Sequence, residues 1–397
     1  MTSQVAVYNL NGIAIASDTI VTSSSESGSK TTGNSEKIYP LGPNHKVVAL
    51  HYGSTALNDI HHQFQFNEWI RTLGEPFATL EEYVESYVSW SGKTKLHSPE
   101  SELVEIRYML RDHFSEVEKR AQNDFNELDP DDTMTQEEFN LAAVEKLIFR
   151  AKDGLAHLKA LEKMTGATEQ LTRTWLKAKQ FDVDALLDEV FANYPLHPDA
   201  RKILKQSAPY VLARAQAMPW DSFIAFVGYG SEDAFGASIV VTCRSLIEGF
   251  MLHQAGEKTQ VGPGSQQSEI SRFAQSDAIE SFIKGYNSDM LWGILWAVQN
   301  KGREVVGDHV SSEDLEAVAN AAREYIENYS WRVSVQPLLR QVATMNLHGM
   351  AELSRTLVGL QATSSEAKDG PVSVGGLVEV VTIDRIHGVQ WKTRLPR

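Results

Sequence analysis

The chain has 397 residues, one cysteine and a formal net charge of −15. That length holds two cores, or one sandwich with a large insertion. The acidity favours solubility and argues against a nucleic-acid binder, which needs a basic face. Apolar runs such as Ile239-Val240-Val241 are too short to cross a bilayer, and no charged-then-apolar leader precedes Thr2; the expectation is a cytoplasmic protein with no membrane contact. Cys243 excludes an intramolecular disulfide framework and, beside two valines, reads as a small buried apolar residue rather than a nucleophile.

In chain order, apolar alternation at Val5, Val7, Ile13 and Ile15 around Asn11-Gly12 predicts a hairpin that returns Asp18 to the level of Thr2. A further strand at about 46–52 precedes a helix from about Ser54 through Leu73, which carries the adjacent His61 and His62 on different faces. Leu80 to Val88 has helical spacing. From about Ser98 to Ala217 the pattern is almost wholly helical, with Thr135-x-x-Glu138 as a capping box and Pro195, Pro198 and Pro209 as punctuation. Strand periodicity then returns in Phe223–Gly230, Gly236–Val241 and Leu246–Leu252. A polar loop leads to a helix through Trp296, further helices at about 312–329 and 335–361, and closing strands at about 376–383 and 387–392. Strands at both ends meet in one fold, so residues 1–92 and 220–397 read as one unit and 93–219 as an inserted helical subdomain.

The chemistry starts at residue 2. Removing Met1 makes Thr2 the N-terminal residue, so that its hydroxyl is the nucleophile and its own α-amine the base. Other constellations carry less. The acidic stretch Asp129-Pro130-Asp131-Asp132 with Glu137 and Glu138 lacks the Gly and closing Glu of a calcium loop. His61-His62 have no spaced carboxylate partner for a metal. Gly228-Tyr229-Gly230 opens no helix and cradles no phosphate. Trp292 and Trp296, at helical spacing, read as core or subunit-interface anchors. No metal or cofactor is implied.

The opening strand, Asn-Gly turn, Ile13-Ala14-Ile15-Ala16, Asp18 and Thr22 resemble the start of proteasome β subunits and of the simpler bacterial ATP-dependent peptidase of that fold. Glu36-Lys37-Ile38-Tyr39-Pro40-Leu41 resembles the strand bearing the family's catalytic Lys. Residues 46–56 resemble the strand-to-helix turn of its oxyanion hole, and Ser373-Val374-Gly375-Gly376 with the later Ile386-His387-Gly388 turn resembles its Gly-Gly strand and final hairpin. The resemblance implies an α+β fold: a four-layer α/β/β/α sandwich of two antiparallel sheets, typical of N-terminal-nucleophile hydrolases. It implies Thr2, Asp18 and Lys37 as catalytic, with Ser276, Asp369 and Ser373 in support, although the spacing of those three departs from the family pattern. Thr22, Val48, Leu50 and Tyr52 would contact substrate, and Leu50 stands where the family has Gly. The expected activity is cleavage of peptide bonds; the alternatives are a narrow amidase or isopeptidase, or a silent assembly subunit. The expected partners are a polypeptide substrate and further copies of the chain. As no nucleotide motif is present, any ATP-dependent unfoldase would be a separate protein.

Overall fold

The computed structural model describes residues 2–25, 28–94, 96–128, 134–193, 196–218, 220–264, 266–306, 310–368 and 373–396. The strands of three or more residues are β1 (Ser3–Asn9), β2 (Gly12–Ser17), β3 (Ile20–Ser25), β4 (Gly28–Asn34), β5 (Ile38–Pro40), β6 (Lys46–Gly53), β7 (Ser222–Tyr229), β8 (Ala237–Ile247), β9 (Phe250–Ala255), β10 (Ser268–Ala274), β11 (Glu379–Asp384) and β12 (Gly388–Thr393). One sheet has the order β10-β1-β2-β11-β12, the other β9-β8-β7-β6-β5, and every pairing in both is antiparallel. The ribbon β3-β4 stands apart. The chain is therefore α+β with antiparallel sheets.

Period-two alternation decides which core each residue joins. Val5, Val7, Ala14 and Ala16 pack with Ile279, Val342, Met350 and Leu357 of α8 (Asp277–Lys284), α11 (Gln336–Thr344) and α12 (Leu347–Glu366). Their neighbours Ala6, Tyr8, Ile13 and Ile15 face the other way, onto Val48, Leu50, Ala225 and Val227 of the second sheet. That sheet turns Val47, Ala49, Ile224 and Phe226 to Phe66, Trp69 and Tyr87 of α1 (His62–Ile70) and α2 (Leu80–Lys93). Both faces of each sheet are therefore buried. Each fully buried large side chain contributes about 1.5–3 kcal/mol, so this stacking holds the strand ends rigidly.

Helices α3 (Pro99–Asn126), α4 (Gln136–Ala160), α5 (Glu169–Ala178), α6 (Val183–Val190) and α7 (Pro198–Ala213) share another core. It takes in Ile247 and Leu252 from the β8-β9 hairpin. Thr135 and Glu138 form the expected capping box at the start of α4. The acidic stretch 129–132 lies outside the described residues.

Several local expectations shift: the helix expected from about Ser54 begins only at His62, and the residues after the polar loop form β10 before α8. The first hairpin turns at Leu10-Asn11, with Asn9 opposite Gly12: the Asn9 Oδ1 accepts the Asn11 N–H at 2.9 Å while its amide donates to the Val342 and Met345 carbonyls, both at 2.8 Å. A side chain engaged in this way starts the turn one residue early. The run Leu246–Leu252 breaks at Glu248-Gly249, whose φ angles of 52° and 76° make a hairpin turn. The helix expected at 335–361 is interrupted after Thr344, and Asn346 caps α12 by accepting the Gly349 N–H. Among the described residues no helix is long and apolar enough to cross a membrane.

Candidate active site

The start of β1 is held from both sides. Ser3 lies opposite Ala274 of β10, and its carbonyl accepts the Asp18 N–H at 3.1 Å. One residue earlier, the Thr2 carbonyl accepts the Gln275 N–H at 2.9 Å. Thr2 is thus fixed in extended register rather than frayed. Continuing the alternation of Tyr8, Ala6 and Gln4 puts Thr2 on the inter-sheet side, with 9% of its surface exposed.

Asp18 follows β2 and is completely buried. Its Oδ1 accepts both the Ser3 N–H at 2.9 Å and the Lys37 Nζ at 2.8 Å, and its Oδ2 accepts the Gly375 N–H at 3.3 Å. Lys37, just before β5 and 2% exposed, also donates to the Ile20 carbonyl at 2.7 Å. One carboxylate oxygen therefore joins the ammonium to the first peptide N–H after Thr2. Burial pushes the Asp18 carboxyl up, with the Lys37 charge opposing, and pushes the Lys37 ammonium down, with Asp18 opposing. An ammonium with a lowered proton affinity is better suited to exchanging a proton near neutrality.

No known family model and no curated protein matches the chain. What the residues can do rests on their geometry.

The other sequence candidates divide. Ser373 is buried near the same strand end: its hydroxyl donates to the Gln275 Oε1 at 3.0 Å and shares a hydrogen bond of 2.9 Å with Ser365. It reaches Thr2 through Gln275. Ser276 sits one residue beyond Gln275, at the start of α8, and its hydroxyl donates to Glu280 at 3.3 Å rather than to Asp18 or Lys37. Asp369 lies outside the described residues, and of Thr22 only the backbone is described, on β3 opposite Thr31.

The substrate-side residues on β6 also need revision. Val48 and Leu50 are wholly buried in the inter-sheet core, so neither walls an open pocket. Tyr52 is half-buried, stacked on Phe223 with ring centroids 4.9 Å apart and tilted against Phe273 at 6.2 Å. The ladder fixes which way each peptide group of β6 points. Val47 accepts the Leu41 N–H on the β5 side, Pro40 without an N–H faces Val48, and Ser54 bonds Asp221 on the β7 side. Alternation along β6 then gives the Leu50 N–H to β7 and turns the His51 peptide groups to the β5 side, opposite Lys37. The His51 carbonyl there accepts the Gln4 Nε2 at 3.2 Å. The Leu50 N–H is thus committed to the β6-β7 ladder.

Several neighbours escaped the sequence reading. Gln4 was foreseeable as the next residue on the face of Thr2. Glu379, a buried carboxylate in an otherwise apolar strand, accepts the Leu395 N–H at 3.0 Å and lies near Lys37. Its polarity in a run of valines was the available signal. Behind β6, the His51 and His62 rings approach to 5.4 Å. Burial pushes His51 far down, with the His62 charge adding to it, and pushes His62 to about 3, with the His61 charge adding to it. The His62 Nε2 pairs with the Ser222 hydroxyl at 2.8 Å. Among the described residues no group of three or more His, Cys, Asp or Glu side chains is placed to hold a metal ion.

Proposed function

We propose that the protein is a proteasome-type N-terminal threonine hydrolase acting on a peptide or related amide bond, and that its two antiparallel sheets and their helices form the four-layer α/β/β/α sandwich of N-terminal-nucleophile hydrolases. The observation that carries this reading is the single Asp18 oxygen shared by the Ser3 N–H and the Lys37 ammonium, directly behind a strand-held Thr2. Once Met1 is removed, the Thr2 hydroxyl attacks the carbonyl and its proton passes to the α-amine, whose proton affinity the adjacent Lys37 charge lowers. The departing amine takes the proton, leaving an ester on Thr2 that water cleaves to regenerate the hydroxyl.

Intact mass lacking Met1, together with amide turnover that Thr2→Ala abolishes, is the expected result. A chain that keeps Met1 and turns over no amide would instead be the silent assembly subunit.

A further inference from the structure

Two helices following α8 carry an apolar surface that the hydrolase reading does not use. The helix α9 (Ser288–Val306) and the antiparallel α10 (Ser312–Ser330) form a hairpin around Leu291, Leu295 and Ala319, and the Ser330 hydroxyl ties its base to the Lys284 carbonyl at 2.5 Å. That small core covers one stripe of α9. A helix that is apolar around most of its circumference belongs in an interior, yet α9 exposes Met290 and Ile294 on one flank and Trp292 and Trp296 on the other.

The two flanks differ. Trp292 already has a partner within the hairpin, the Arg323 guanidinium of α10 4.4 Å from its ring centroid. At helical spacing, the Met290–Ile294 flank adjoins Val318, Ala321 and Tyr325 of α10, with the Tyr325 and Tyr329 rings stacked at 6.3 Å. No charged residue interrupts it between Met290 and Ala297 on α9 or between Val318 and Tyr325 on α10 along that side. Met290 is 67% exposed, Ile294 46%, Val318 56%, Tyr325 69% and Tyr329 50%. Together these side chains offer roughly 600 Å², most of the ~800 Å² per partner that a stable interface buries.

We propose that this flank is the interface to a second copy of the same chain, two hairpins packing across a two-fold axis into a four-helix arrangement. The patch carries both parts of such a contact. Met290, Ile294, Val318 and Tyr325 project, while Gly293, Ala297 and Ala321 between them leave gaps, and a Cβ placed on Gly293 meets nothing within 4 Å. Knobs and gaps on one surface are what an isologous contact requires, since the patch must fit itself. The uncharged centre also matters for a chain of charge −15, whose copies repel wherever carboxylates face each other.

The test is sedimentation velocity of the full chain across a range of concentrations. A dimer, or a larger assembly of even number, is expected. Ile294→Glu should weaken it on the order of 100-fold, because a two-fold contact buries the new carboxylate twice. Trp292→Ala, on the other flank, should leave association unchanged. Ala321→Cys adds an exposed thiol to a chain whose own Cys243 is buried, and oxidation should then link two copies. A chain that stays monomeric at every concentration overturns the proposal, as does an oligomer indifferent to Ile294→Glu. If Ile294→Glu fails to fold, the cross-link decides, and its absence counts against the interface. None of these readouts depends on amide turnover.

Discussion

Acidification should destabilise the protein through His62, and the size of the effect follows from its surroundings. The ring is completely buried beneath β6, and desolvation holds its proton affinity at about 3, whereas the unfolded chain titrates near the ordinary 6.5. The folded value lies below the unfolded one, so between those limits the unfolded state binds the extra proton and stability falls as pH drops. From about pH 7.5 to about pH 5, the difference in proton uptake at this one site costs about 2 kcal/mol. His51, shifted in the same direction, adds to the loss, as does His113, which burial among α3 and α4 lowers to about 4. Urea unfolding followed by far-ultraviolet dichroism at a series of pH values gives the slope. His62→Gln keeps a partner for Ser222 and removes the titration, so its curve should be flatter by that amount. An unchanged slope in His62→Gln would refute the reasoning, since the ring would then be protonating in the folded state.

The Asp18–Lys37 pair should be costly to split. Asp18→Asn leaves a buried ammonium without its counter-charge and is expected to lose about 3–5 kcal/mol in urea melts; a double-mutant cycle with Lys37→Met should recover part of it, and strict additivity would contradict the direct contact. Lys37→Met should also lower amide turnover at least about 100-fold, as expected for losing a proton-transfer partner, with turnover near the wild-type level speaking against its role. Gly53, at the end of β6, has a φ of +82° and a position where a Cβ would lie 2.4 Å from the Asp221 carbonyl; Gly53→Ala should cost about 1–3 kcal/mol in thermal melts. The buried Arg244 donates to both Asp221 oxygens, at 3.0 and 3.2 Å, and to the Arg214 carbonyl at 2.7 Å, tying the segment after α7 to β8. Arg244→Leu should destabilise by about 3–5 kcal/mol, and a loss below about 1 kcal/mol would mean the pair is not desolvated as the structure shows.

Local pattern alone was enough for much of this. The alternation of Val5, Val7, Ile13 and Ile15 specifies a strand pair because one face of each strand must be buried, and the helical spacing of apolar residues through 98–217 specifies helices for the same reason. Residue type and the hairpin likewise placed Thr2 beside Asp18, whereas Lys37 was reached only through the resemblance to proteasome β subunits. Short-range pattern failed where a distant group intervened. Asn9 is drawn to the 342–345 segment and moves the first turn, and the Ser- and Thr-rich stretch of β3 and β4 carries too little apolar signal to announce a ribbon.

What the tertiary structure alone decided is pairing across long separations. That the Asp18 carboxylate meets Gly375, that Gln275 rather than Ser276 reaches Thr2, and that the His51 carbonyl meets the Gln4 amide all follow from how strands register after the sheets close. A linear chain encodes the periodicity of each strand, but shifting one ladder by a single residue exchanges which peptide groups point inward, and only the packed sheets settle that choice.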